Sequence, residues 1–350
     1  MPIYALQNII VLCRARFVVN TLDGNAIIMK VFLSYSDYLR NFEVFLRAFD
    51  PSESNKLIIL THDKWVNVHP VVLAIIAALG SKIGSENITI EKITATSGHY
   101  LSRMGFFKIL GKKSPYSIKE HEPAGRFIPI TQIKSPEEQS QFVTEMIPLL
   151  HLKPNQADSI KYIVGELVRN VLEHARTKDG AFVATQYYLH TNMVRLGICD
   201  AGVGIRKTIN YSWHAPTDLD AIKLALTPGI TGTTRREGGT GENVGAGLFF
   251  IKSMAMVARD YFVLYSGTGL YKLIKRDKRT KGFPRLHADP QDDKHSDTND
   301  APKFPGTVVG IDISLDQTSE FRVLLAAIRD VFIKAVRERK KARYKKPIFI

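Results

Sequence analysis

The chain has 350 residues, 45% of them hydrophobic, and a formal net charge of +14, enough sequence for two or three domains and at least one large core. Its two cysteines, Cys13 and Cys199, both sit in apolar strand-like patterns, which excludes a disulfide or cysteine-metal framework and predicts buried thiols. No apolar run approaches the length of a membrane span, and the opening Met1-Pro2-Ile3-Tyr4-Ala5 lacks the basic-then-apolar order of a signal peptide, so a soluble cytoplasmic protein without membrane contact is expected.

In chain order, apolar stretches at residues 9–16 and 26–33 flank Leu22-Asp23-Gly24-Asn25, a hairpin signal. Helical spacing follows at Tyr38, Leu39, Phe42, Phe45, Leu46 and Phe49. Then come a strand over 57–61, an apolar helix over 71–79, a strand over 88–90 and a helix over 100–110, an alternating α/β unit spanning residues 1–110. Residues 111–135 are rich in Pro and Gly and read as a linker. Ser135-Pro136-Glu137-Glu138 then signals a capped helix start, and a second helix opens after Pro154.

That second helix carries apolar residues at 160, 163, 164, 167, 168, 171, 172 and 175, the helical period. A separate polar set, Glu166, Asn170 and Glu173 or His174, falls at i, i+4 and i+7 or i+8, so a carboxylate, an amide and a third polar group project as one column suited to a ligand. Alternation over 182–188 and 193–199 around a 190–192 turn gives a hairpin ending in Asp200-Ala201-Gly202-Val203-Gly204-Ile205. A carboxylate there can accept from an exocyclic amine such as adenine N6, and Gly202 and Gly204 allow backbone to approach a flat ligand. Alone, Asp-x-Gly-x-Gly is as compatible with an ordinary turn.

A glycine-rich stretch, residues 238–247, runs into an apolar helix over 248–257, whose amino terminus offers unpaired N–H groups to phosphate through Gly245, Gly247 and Leu248. Before it lie a helical piece over 218–226 and the Gly/Thr-rich segment 227–237, where Thr231, Arg235 and Arg236 are candidates to touch phosphate. Residues 275–305, rich in Asp, Lys, Pro and His, read as a loosely held insertion, with His287 and His295 matching no metal template. A strand returns over 306–313, and an amphipathic helix over 319–339 carries Phe321, Leu324, Leu325, Ile328, Phe332 and Val336, a stripe that can pack on the domain or mediate association, a homodimer included. Eight basic residues from Lys334 to Lys346, against Glu338 alone, hold half the charge excess, a tail that suits nucleic acid or an acidic partner as well as a solvated helix end.

In order and spacing, the Glu166/Asn170/His174 column, the Asp200 turn and the 238–248 glycine stretch resemble the N box and two glycine boxes of the GHKL superfamily of ATPases and kinases, over roughly 136–316. The column is most similar to that of anti-sigma-factor serine kinases. The resemblance implies an α/β sandwich that binds ATP and Mg²⁺, with Glu166 as general base, Asn170 on the metal, His174, Asp200, Gly202, Gly204, Gly245, Gly247 and Leu248 at the nucleotide, 227–237 as ATP lid, and Thr307 helping to hold the adenine end. Residues 1–110, with Met104-Gly105-Phe106 late in the unit, resemble the STAS domain, the antagonist partner of those kinases. The loop from His62 to Pro70 lacks the Ser or Thr that phosphorylated antagonists carry, so docking or signal input is the expected role, and His69 reads first as a capping or packing residue.

An ATPase or protein kinase acting on a regulatory protein partner is therefore expected, with a non-catalytic ATP-gated switch controlling a protein or nucleic-acid contact as the alternative. His121-Glu122-Pro123 offers no unbroken acceptor helix, which argues against an autophosphorylating histidine kinase.

Overall fold

The computed structural model describes residues 22–23, 26–33, 38–47, 49, 55–64, 66–116, 127–235, 245–275, 285–315 and 321–343. The strand expected over 9–16, Cys13, the His121-Glu122-Pro123 stretch, Arg236, the glycine run 238–244, the start of the insertion at 276–284 and the basic pair at 345 and 346 lie outside the described residues.

The fold is mixed α/β, built on two sheets. The smaller contains β1 (Leu22–Asp23), β2 (Ala26–Phe32), β3 (Lys56–Leu60) and β4 (Ile88–Ile90) in that order, with β1 antiparallel to β2 and the other three mutually parallel. Helices α1 (Phe42–Arg47), α2 (Pro70–Ile83), α3 (His99–Arg103) and α4 (Phe106–Ile109) accompany it. The larger sheet is antiparallel throughout. It is built from β5 (Phe127–Ile133), β6 (Ala181–Tyr188), β7 (Met193–Asp200), β8 (Phe262–Gly267), β9 (Gly269–Leu273), β10 (His295–Thr298) and β11 (Phe304–Ser314), in the order β10-β9-β8-β11-β7-β6-β5. Its helices are α5 (Pro136–Gln141), α6 (Pro154–His174), α7 (Gly204–Ile209), α8 (Asp218–Ala225), α9 (Gly247–Ala258) and α10 (Phe321–Arg343).

Alternation along β7 and β11 separates two cores. Leu196 and Ile198, with Val309, Ile311 and Ile313 of β11, face a core shared with α6, α9 and α10. Cys199 and Val308 face the opposite core, together with Phe182 and Ala184 of β6, and there they meet α2. Every residue of β7 is consequently buried, unlike the half-wet strands common in antiparallel sheets. The α2 segment Pro70–Gly80 is buried all round because the helix lies between the two sheets, as expected of a helix that is hydrophobic on every side.

Close seating of α2 requires a missing side chain. A Cβ at Gly197 would stand 2.2 Å from Val71 Cα and 2.3 Å from Val71 N. The helix start is fixed by His69, whose Nδ1 accepts from the Val71 amide at 3.1 Å while Nε2 donates to Asp312 of β11 at 3.0 Å. The capping reading of His69 thus holds, and the same ring joins the helix to the larger sheet.

Three expectations change: residues 127–133, inside the segment read as a linker, form β5 and pair along β6, and two further elements differ. The helix over 100–110 breaks into α3 and α4, because Gly105 takes φ +70° and the Met104 carbonyl accepts instead from Ile130 of β5 at 2.9 Å. The described part of the insertion is built in, since β10 pairs along β9 and Asp293 forms a fully buried ion pair with Lys252 of α9 at 2.5 Å. The Tyr271 hydroxyl lies 3.1 Å from the same carboxylate and 2.8 Å from the Pro290 carbonyl. A polar composition hid this anchor, because a single buried carboxylate carries it. The stripe on α10 packs inward through Ile328, Phe332 and Val336, with the Phe332 ring 6.2 Å from Phe249 and 6.0 Å from Phe250.

Gly197→Ala should destabilise the protein by about 1–3 kcal/mol, because its Cβ must displace helix backbone rather than a flexible side chain. Gly165→Ala, in the middle of α6 with only Gln139 Nε2 nearby at 3.9 Å, should instead stabilise by roughly 0.5–1 kcal/mol. Urea midpoints of the two variants, compared with the parent, check both signs.

Candidate nucleotide site

One cavity of about 370 Å³ collects most of the candidate residues. Helix α6 supplies Glu166, Asn170 and His174 from one face, the end of β7 supplies Asp200, the start of α7 supplies Gly204, and β11 supplies Thr307. Thr231 and Gly232 of the 227–235 segment, and Gly245, Gly247 and Leu248 at the start of α9, close it. The polar column expected from spacing exists because Pro154 opens α6 and the apolar stripe turns the opposite face into the core.

Asp200 is 2% exposed. Burial pushes its carboxyl up to about 7, opposed by hydrogen bonds from the amides of Gly202, at 2.8 Å, and Thr307. The turn after it is tight: a Cβ at Gly202 would stand 2.1 Å from the Ala175 carbonyl, and Val203 N donates to that carbonyl at 2.9 Å. Gly202 thus shapes the turn against α6, whereas Gly204, with φ +76°, lines the cavity. Ser266 of β8 pins the turn, accepting from Ile205 N at 2.9 Å and donating to Gly306 O at 2.6 Å. Neither this clamp nor the apolar lining by Tyr162, Ile198 and Val309 leaves a local signal in the sequence.

Helix α9 begins without a side-chain cap, so its first amides keep their donor capacity on the cavity side. A Cβ at Gly247 would meet Glu166 Oε2 at 2.7 Å and the Asn170 side-chain nitrogen at 3.5 Å; absence of a side chain is what lets the helix start approach the column. Gly245 takes φ +67°, and a Cβ there would collide with the Ile230 carbonyl at 2.5 Å, while its own carbonyl accepts from Gly229 N at 3.0 Å. Gly245 is thereby tied to the base of the 227–235 segment.

Glu166 has an ion partner at i+3 that the polar column does not include: Arg169 Nη2 reaches Oε2 at 2.6 Å. Burial pushes the Glu166 carboxyl up, and the guanidinium opposes that shift. Burial likewise pushes His174 down, with Glu173 Oε2 at 3.7 Å opposing. Trp213 Nε1 donates to Thr231 O and Ser212 Oγ to Gly232 O, both at 2.9 Å, fixing the base of the segment beside the cavity. Arg235 is not brought in; it is exposed and lines a separate depression with Arg206 and Arg343. Among the described residues no group of three or more His, Cys, Asp or Glu side chains could hold a metal ion, and no helix is long and apolar enough to cross a membrane.

The raised Asp200 has a consequence for stability. Between the unfolded value near 3.8 and the folded value of about 7, the folded protein holds the proton more tightly, so stability falls as pH rises through this window. Asp200→Asn should therefore melt higher than the parent at pH 8 in the absence of ligand. Each tenfold difference in proton affinity between the folded and unfolded states is worth at most roughly 1.4 kcal/mol of that gap, and the gap should close toward pH 4. Melting curves across pH 4–8 test the sign. No family model matches this chain, and no curated protein matches its sequence.

Proposed function

We propose that the chain binds ATP with Mg²⁺ as a protein of the GHKL type and acts as an ATPase or a serine/threonine protein kinase on a regulatory protein partner. The observation that carries this reading is the convergence, in one cavity, of a buried carboxylate at a strand end, a Glu/Asn column on a facing helix and the uncapped, glycine-lined start of a third. The STAS-like reading of the amino-terminal unit, as a docking or input module, belongs to the same proposal.

The residues present suit the ligand. An adenine amine donating to Asp200 favours the ionised carboxylate that burial disfavours, and Thr307 lies across the strand pair from it. Phosphates fit the amides of Gly247 and Leu248. Mg²⁺ takes oxygen ligands and keeps phosphates and waters in its shell, so the Asn170 side-chain oxygen suffices from the protein, with the amide orientation free to be exchanged. Bound magnesium would neutralise charge on the phosphates. Glu166, one turn earlier, would accept a proton from water or a partner hydroxyl, a role that its raised affinity for protons supports by bringing it closer to working pH.

A second reading, an ATP-gated switch without chemistry, is favoured by one contact: the Arg169 guanidinium occupies Glu166 Oε2, which weakens the carboxylate as a base. Glu166→Gln separates the two. In the enzyme it lowers phosphate release or phosphotransfer by about 10²–10⁴-fold while ATP still binds; in the switch it leaves partner control intact. Mass spectrometry of the protein with labelled ATP and cell extract reads the transfer.

Binding itself has a pH signature. Protonated Asp200 presents a donor where the amine needs an acceptor, so ATP affinity measured by calorimetry should weaken as pH falls below about 7. Asp200→Asn should lose tenfold or more, about 1–3 kcal/mol, and Asn170→Ala should lose the Mg²⁺-dependent part. Unchanged affinity in a folded Asp200→Asn protein overturns the assignment.

A further inference from the structure

Outside the cavity, the far side of α7 carries two shallow depressions that meet at Arg206 and Asn210. One, of about 590 Å³, adds Lys207 and Lys303; the other, of about 570 Å³, adds Arg235 and Arg343. Together they make one groove. Among the described residues Asp218 is its one carboxylate, and that group is engaged by the Thr268 amide at 2.9 Å. Among the described residues none of Arg206, Lys207, Arg235 and Lys303 is ion-paired, and all four are exposed. The Arg206 guanidinium is instead braced by the carbonyls of Ala215 and Pro216. A charge fixed in place without a counter-ion is suited to an external anion.

Aromatic rings alternate with these cations. Tyr211, 49% exposed, lies one turn beyond Lys207, with Arg176 Cζ 4.8 Å above its ring. Trp213 carries Arg343 Cζ at 5.4 Å. Rings at separated intervals along a basic track suit unstacked bases joined by phosphates better than they suit an acidic peptide, which has charge but no flat faces to stack, or a duplex, whose bases are already stacked.

We propose that this groove, from Lys303 and Lys207 past Tyr211 to Arg235 and Arg343, binds single-stranded nucleic acid. Backbone phosphates lie along the cations and a base stacks on the exposed ring of Tyr211. The groove lies outside the nucleotide cavity, so strand binding does not depend on the ATP reading. Exposed basic residues of α10, Lys334, Arg337, Lys340 and Lys341, extend the positive field beside it.

The test is fluorescence anisotropy of a dye-labelled 20-residue oligothymidylate with the full chain. Four neutralised phosphates give a log–log salt slope of about −3, a loss of roughly fifty-fold between 50 and 200 mM salt. Lys207→Glu with Lys303→Glu should weaken binding at least tenfold, and Tyr211→Ala about five-fold or more, with melting temperatures unchanged. Removing residues 344–350 should leave affinity within two-fold. Ultraviolet cross-links of the wild-type complex, which need no variant, should map to 203–213. Any of four results overturns the proposal: no salt-dependent binding, binding lost with residues 344–350, a duplex bound as tightly as the single strand, or polyglutamate of equal charge competing equally well. Cross-links confined to other segments do the same.

Discussion

The seating of α2 on Gly197 is the constraint on which the rest of the molecule rests. A helix can touch sheet backbone this closely only where no side chain intervenes, and Gly197 and Gly310 supply that gap on neighbouring strands. Once α2 covers one face, β7 has solvent on neither side, and its alternation becomes binding: Gly197 and Cys199 toward α2, Leu196 and Ile198 toward α6 and α9. A slip of one residue would exchange every one of them. Asp200, next in the alternation, is directed to the cavity by the same register that directs Gly197 to the helix.

The polar contacts between the two halves follow from this. His69 serves both partners, capping α2 through one ring nitrogen and bonding Asp312 through the other, so the helix start and β11 share one imidazole. Arg195, paired in register with Asp312, lies between the rings of Tyr38 and Tyr188, at 4.6 and 4.1 Å. On the outer strands Lys272 reaches Glu43 of α1. Buried charges are tolerated because each has a partner with fixed geometry, and they give the interface a single orientation that apolar packing alone would leave loose.

Helical and strand periods made most elements legible: the 21-residue α6, the β6–β7 hairpin with Asn192 at φ +44°, the short β4 and the capped start at Ser135 all follow from local chemistry. The polar column and the Asp200 turn were readable for the same reason, since i, i+4 spacing and Asp-x-Gly-x-Gly are local facts. Long-range contacts were not. Arg169 beside Glu166 was within reach of the helix rule, but the Ser266 clamp on the turn comes from 61 residues away, and the Lys252–Asp293 pair spans 41. Composition misled at 285–305, where polar residues suggested a loose loop although one carboxylate anchors it in the core.

Burial of Asp200 sets stability against recognition. A carboxylate that is 2% exposed and is held by the amides of Gly202 and Thr307 is incompletely solvated by the protein, so burial favours its proton over its charge. Helix α9 likewise starts without a capping side chain, and the missing side chain of Gly247 is what leaves room there for the Glu166 carboxylate. The base of the 227–235 segment is tied to the cavity through Thr231 and to α10 through the bond from Arg343 to the Arg235 carbonyl at 3.2 Å. The same short segment thus borders the cavity through Thr231 and the outer groove through Arg235, on opposite sides of α7.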